Sequence, residues 1–146
     1  MNINGLDHSR GLCWHGLLIF LFGLLTGALI SAFTNPRMGL SAHLAGVQNG
    51  MALLLFGLVW PKLDLAPGQA KLAYRLSVFS MYAIWAALSL AAILGTSRVT
   101  PIAGAGFEGS ALSELSVAAL LGAGSVAIIA GTGLLLHGLR RPASGD

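Results

Sequence analysis

Four long apolar stretches, separated by short polar breaks, make up most of this chain: roughly Leu12 to Phe33, Ser41 to Trp60, Leu72 to Leu94 and Ala111 to Leu139. Each comes up to or past the roughly 20 apolar residues that a helix needs to cross a bilayer. The first stretch stops at Asn35-Pro36, where proline cannot continue a helix, and Ser41 is a suitable N-cap for the second. The second ends at Trp60-Pro61, and the third and fourth are joined by the loop that carries PIAGAGFEGS. No segment between them is long enough for a second domain. The pattern predicts an all-α membrane protein, a single four-helix transmembrane bundle spanning residues 1–146.

Composition supports that reading. Of the 146 residues, 55% are hydrophobic and only 9% charged, with a mean hydropathy of +0.80. Soluble domains carry about a quarter charged residues, so most of this surface must meet lipid. The net charge of +3 comes from scattered basic residues, which excludes a nucleic-acid face. Cys13 stands alone, so neither an intrachain disulfide nor a Cys-rich metal site can form. The first apolar run is too long for a signal-peptide core and is read as a retained helix. Arg10, Lys62, Lys71, Arg75, Arg140 and Arg141 fall at one end of the bundle, and Arg37 and Arg98 at the other. By the positive-inside rule both termini are then cytoplasmic, with Trp14 and Trp60 near the inner interface. The chain's glycines, Gly23 with Gly27 and Gly46 with Gly50 among them, suit close helix packing in lipid. A unit this small is expected to cover its remaining faces with copies of itself.

Candidate chemistry concentrates in NPRMGLSAHLAGVQNG, residues 35–50. With Ser41 as the cap, His43 is the second or third residue of the second helix. There the helix end disfavours imidazolium, and a neutral imidazole is the form that binds a metal. His43, Gly46, Asn49 and Gly50 spread over about a third of the helix circumference at 100° per residue. The bare glycine patch, with His43 at one edge and Asn49 at the other, suits a planar macrocycle ligated by His43. It suits tight helix packing equally well. Arg37 and Arg98, on the same side, are candidates for binding carboxylates or for anchoring at the interface. Glu114, in the first turn of the fourth helix, is either a favourable N-terminal carboxylate or a polar group facing the site. Gln48, Asn49 and Tyr82 are polar groups expected to face the interior. Tyr82 and Trp85 are placed on the outer half of the third helix, at the depth of a pocket near His43, though such aromatics also serve as ordinary core. His15 enters from the opposite face, so it should not share one iron with His43. His137 and His8 read as a helix-terminal residue and a solvated tail.

These residues carry a resemblance. The run FLFGLLTGALISAFTNPRMGLSAHLAGVQNG, followed by GLVWP and PIAGAGFEGSALSE, is similar to the hydroxylaminobenzene mutases, small membrane isomerases that turn aryl hydroxylamines into aminophenols. Ala42-His43 followed by Asn49-Gly50, with His15-Gly16 in the first helix, also resembles the styrene oxide isomerases. Those are four-helix trimeric membrane enzymes with haem b at the subunit interface. The resemblance puts the axial histidine on His43 and the motif asparagine on Asn49. The tyrosine that assists epoxide opening in that family falls on Leu88 here, which argues against epoxide isomerisation as the native reaction.

The resemblance implies a haem b isomerase of a bacterial inner membrane, a homotrimer acting on an aromatic hydroxylamine. His43 would be its metal ligand, and Gly46, Gly50, Arg37 and Arg98 would contact the cofactor. Asn49, Tyr82 and Glu114 are the candidate catalytic groups. An epoxide isomerase of the styrene oxide type and a non-catalytic haem-carrying subunit are the alternatives.

Overall fold

Local signals set where each helix starts and stops, and they revise the expected boundaries. The computed structural model of the chain describes residues 3–140, with side chains from Asp7 onward; Arg141, counted above in the charge asymmetry, lies outside them. Helix α1 runs Ile3–Ala28, α2 Pro36–Val59, α3 Pro67–Leu94 and α4 Ala111–Arg140. All four are long and apolar enough to cross a membrane. Short 3-10 turns follow α1 at Ile30–Ala32 and α2 at Trp60–Lys62.

The start of α1 moves furthest, from Leu12 to Ile3, but the revision that bears on the candidate site is at the start of α2. Asn35 is its N-cap, accepting from the Met38 N–H at 3.2 Å, and Pro36 is its first residue. Proline at the first helical position loses no hydrogen bond and arrives with a suitable φ, so Asn-Pro here opens a helix. Ser41 lies inside α2 and its hydroxyl donates to the Arg37 carbonyl. In the same way α3 opens at Pro67, five residues before the expected start. It closes on Gly95, whose φ of 65° is the left-handed C-cap geometry.

Contacts between the elements define two ends. At the terminal end, the Ser9 hydroxyl donates to the Gly57 carbonyl and the Asp64 N–H to that of Gly138. At the loop end, Asn35 is fully buried, its N–H donating to the Ala92 carbonyl and its Nδ2 to that of Ala103.

Helices α1 and α2 form the tightest pair. A Cβ at Gly46 would lie 2.5 Å from the Gly23 Cα, and one at Gly16 would lie 2.9 Å from the Gly50 carbonyl oxygen. In lipid, where helices gain little by hiding apolar surface from each other, such backbone contact and its dispersion energy hold a pair together. Helix α3 packs on α2 and, through Gly124 and Gly131, on α4. The ring of helices does not close, because α4 leans almost wholly on α3. Leucines such as Leu17, Leu21, Leu55 and Leu115 cover the outside, all more than 45% exposed, as a lipid-facing surface allows.

Replacing Gly46 with alanine should force α1 and α2 apart and lower stability in detergent by about 1–3 kcal/mol, the usual cost of overpacking. Gly68→Ala, where a Cβ meets nothing within 4 Å, should not lower the unfolding midpoint.

Candidate functional site

His43 is the eighth residue of α2, counting from Pro36. It therefore sits beyond the reach of the helix-end charge, which fades within the first turn. A main-chain carbonyl orients the ring instead. Its Nδ1 is 2.8 Å from the carbonyl oxygen of Gly23 on α1. A carbonyl can only accept, so Nδ1 carries the proton and Nε2 of the neutral ring keeps its lone pair. Histidines that bind metals are commonly held this way, by a carbonyl or carboxylate on the nitrogen opposite the metal. Gly27 makes the approach possible, since a Cβ there would lie 2.5 Å from the His43 Nδ1. The Gly23–Gly27 pair, read in sequence as packing, is also the seat of this ring.

The Gly46–Gly50 patch is not free for a cofactor. Gly46 faces Gly23 and the Cδ1 of Trp85, and Gly50 faces Phe20 and the Gly16 carbonyl. Helix α1 occupies the surface on which a macrocycle was expected to lie, and of the two sequence readings the structure takes the packing one. Asn49 is half-buried and donates from Nδ2 to the Met81 carbonyl of α3 at 2.9 Å, which leaves its Oδ1 available as an acceptor. Gln48 is exposed.

Tyr82 does not lie beside His43. Because α3 begins at Pro67, Tyr82 is near the middle of that helix, and helical side chains lean toward their N-terminus, here the terminal end. Its hydroxyl is 3.2 Å from the Nδ1 of His15. One turn nearer the loop end, the Trp85 Nε1 donates to the Thr26 hydroxyl at 3.2 Å, and Thr26 donates to the Phe22 carbonyl at 2.7 Å. Trp85 also stacks on Phe22 at 5.2 Å between ring centroids. Thr26, only 5% exposed, is a site-lining residue that the sequence reading missed. A lone hydroxyl between Gly23 and Gly27 was its only signal. His15 lies eight to twelve residues along α1 from the seat of His43, about 12–18 Å at helical rise, too far for the two rings to share an iron.

The charged candidates belong to the loop end. Arg37 and Arg98 are exposed, and the Arg37 guanidinium donates to the Ala105 carbonyl. Glu114 is buried, but not in a pocket. Its carboxylate accepts from the backbone N–H groups of Ser97, Arg98 and Gly109 at 2.9, 3.0 and 3.3 Å. It is thus the clamp of the loop between α3 and α4, and the expected catalytic role is replaced by a structural one. Among the described residues no group of three or more His, Cys, Asp or Glu side chains is gathered tightly enough to hold a metal ion. A metal at His43 would have to bring most of its own ligands, as a macrocycle does.

These features describe a four-helix membrane protein with a tethered, lone-pair-bearing histidine and a polar, aromatic-lined interior. The family description of styrene oxide isomerase matches residues 8–140, all of α2 to α4 and most of α1, and the chain belongs to that family. Two named relatives come from Ectopseudomonas oleovorans. Hydroxylaminobenzene mutase HabB is 48% identical over 107 residues, 73% of this chain and 65% of HabB. Hydroxylaminobenzene mutase HabA is 39% identical over 100 residues, 68% of this chain and 74% of HabA. The match thus spans just under two thirds of HabB's length. No solved structure matches the chain.

Glu114→Gln replaces one accepting oxygen with a donor and should strand the N–H it faced. The expected result is a lower unfolding temperature with the chemistry per folded molecule unchanged, checked by thermal denaturation alongside activity at low temperature. Activity lost in fully folded protein would return Glu114 to the site.

Proposed function

We propose that this chain is a membrane isomerase that converts hydroxylaminobenzene to 2-aminophenol, with haem b held through the Nε2 of His43. The observation that carries the reading is the His43 Nδ1–Gly23 carbonyl bond, which leaves Nε2 ready as a ligand, in a chain whose relatives bear the mutase name. The assembly proposed is a homotrimer in a bacterial inner membrane, with both termini cytoplasmic. When bound, the haem would supply an electrophilic iron able to polarise an N–O group.

Substrate and product are isomers, so no oxidant or reductant is consumed. The N–O bond breaks with its electron pair on oxygen, and that oxygen gains a proton. Oxygen then bonds to the ortho carbon and releases one proton; the ortho hydrogen leaves as another, while nitrogen gains one. The protein's part is to hold the ring, orient the nitrogen and keep other water away. Phe22 and Trp85, already stacked, present aromatic surface to an aryl ring. Asn49, its Nδ2 committed to Met81, offers Oδ1 to the substrate N–H. Apolar helix faces exclude bulk water, which would otherwise attack at other ring positions. Arg37 and Arg98 would meet carboxylates of the cofactor at the loop end.

The test is the absorption spectrum and product analysis of detergent-purified protein given hydroxylaminobenzene. A Soret band and 2-aminophenol are expected, both lost in His43→Ala. Gly27→Ala, which pushes the ring off its carbonyl, should weaken both without unfolding the helices. A His43→Ala protein that keeps its band and full activity would sink the ligand assignment, whereas a colourless active wild type would leave the isomerase and remove the cofactor.

A further inference from the structure

The α1–α3 seam carries an alternation that the site description leaves unused. His8 and His15 are seven residues apart on one face of α1, and Tyr74 and Tyr82 are eight apart on the facing side of α3. The four side chains interleave. The His8 ring lies 4.9 Å from that of Tyr74, and the Tyr74 ring 6.5 Å from that of His15, between centroids. The His15 Nδ1 then lies 3.2 Å from the Tyr82 hydroxyl. The position of the Tyr74 hydroxyl is also set: it sits against Gly11, 2.7 Å from where a Cβ would be. Gly11 lies between His8 and His15, and a side chain there would press on this hydroxyl.

The line begins at the terminal end of the bundle and reaches mid-membrane, since His15 and Tyr82 are close to the midpoints of α1 and α3. All four residues are half-buried, including His8, which packs in α1 against Trp60 and Tyr74 where a solvated tail was expected. Ionisable and polar groups at such depth are costly to keep, and a chain of them is a recurrent device for moving protons through an apolar interior. Histidine both gives and takes protons near neutral pH. The His15–Tyr82 link is a direct hydrogen bond, and at the other two links, which are ring separations, a bridging water would carry the proton.

We infer that His8, Tyr74, His15 and Tyr82 form a proton-transfer line joining the water at the terminal end to the aromatic interior around Phe22. This rests on the isomerase reading above. That reaction needs a proton on the departing oxygen early and releases the ortho proton late, among apolar helix faces that exclude bulk water. Tyr82, whose ring lies 6.5 Å from that of Phe22, would be the inner end of the line beside the surface proposed for the aryl ring, lending a proton from its hydroxyl and taking one back, and His15 the group that resets it. Because the protons lent and recovered are equal, the line consumes nothing and keeps Tyr82 in equilibrium with the aqueous side.

The experiment uses the full chain in lipid nanodiscs, with hydroxylaminobenzene in H2O and D2O, for wild type, Tyr82→Phe, His15→Gln and Tyr74→Phe. The Phe variants keep the rings that pack and remove only hydroxyls. Tyr82→Phe and His15→Gln should lower kcat by about 10²-fold, within the range for a lost acid–base group, with KM and any haem spectrum unchanged. Tyr74→Phe should lower kcat less, raise the solvent isotope effect, and be rescued by added imidazole buffer. Loss of packing alone would not produce that combination. If wild type forms 2-aminophenol and Tyr74→Phe matches it in kcat, isotope effect and buffer response, the line is overturned while the isomerase reading stands. A wild type that forms no 2-aminophenol overturns both.

Discussion

The backbone contact between α1 and α2 is the constraint on which the rest depends. Two helices in lipid gain little from hiding apolar side chains from one another, because lipid tails offer the same environment. They gain from dispersion only at close range, and here the range is set by Gly16 against Gly50 and Gly23 against Gly46. That approach brings the Gly23 carbonyl within reach of a side chain on the neighbouring helix. The oxygen already serves the α1 backbone ladder, and its second lone pair takes the His43 Nδ1–H. Packing and site orientation are therefore one arrangement: the spacing that seats the helices also fixes which nitrogen of His43 is free.

The loop end sets how far α2 is pushed into the bundle. Asn35 caps α2, bonds the last turn of α3 and bonds the following loop, which ties the start of one helix to the finish of another. Glu114 does the same from α4, gathering three N–H groups from the Gly95–Ser110 loop. A buried carboxylate is tolerated when backbone donors replace its hydration, and three such donors leave this one little capacity for chemistry. The polar residues of this end are its fastenings, while the aromatic side chains gather deeper, along the seam between α1 and α3. Those two helices make few close backbone contacts, because the rings of Phe22, Tyr74, Tyr82 and Trp85 hold them apart.

Much of this was legible in the residue order. Hydrophobic run length and charge poverty specify four membrane helices, because a bilayer imposes one length and forbids unpaired backbone. His43 and Asn49 stand out there because polar side chains in such runs need a reason. The start of α2 is not decided by local sequence, since Asn-Pro is compatible with stopping a helix and with starting one. Only the burial of Asn35 against α3 and the loop shows which applies. That shift moved His43 from the first turn to the third and replaced the helix-end argument with a carbonyl.

Residue identity by itself determined the class of the molecule, the number of its helices and the small set of groups able to do chemistry. These follow from local and additive physics, namely transfer into lipid and 3.6-residue periodicity. Tertiary structure decided the partnerships. Gly46 and Gly50 meet α1, Tyr82 joins His15, and Glu114 serves a loop, because each outcome depends on the rotation and depth of one helix against another. Those are fixed by close contacts between residues far apart in the chain, Gly23 with Gly46 and Asn35 with Ala92, and no periodicity within a single helix encodes them.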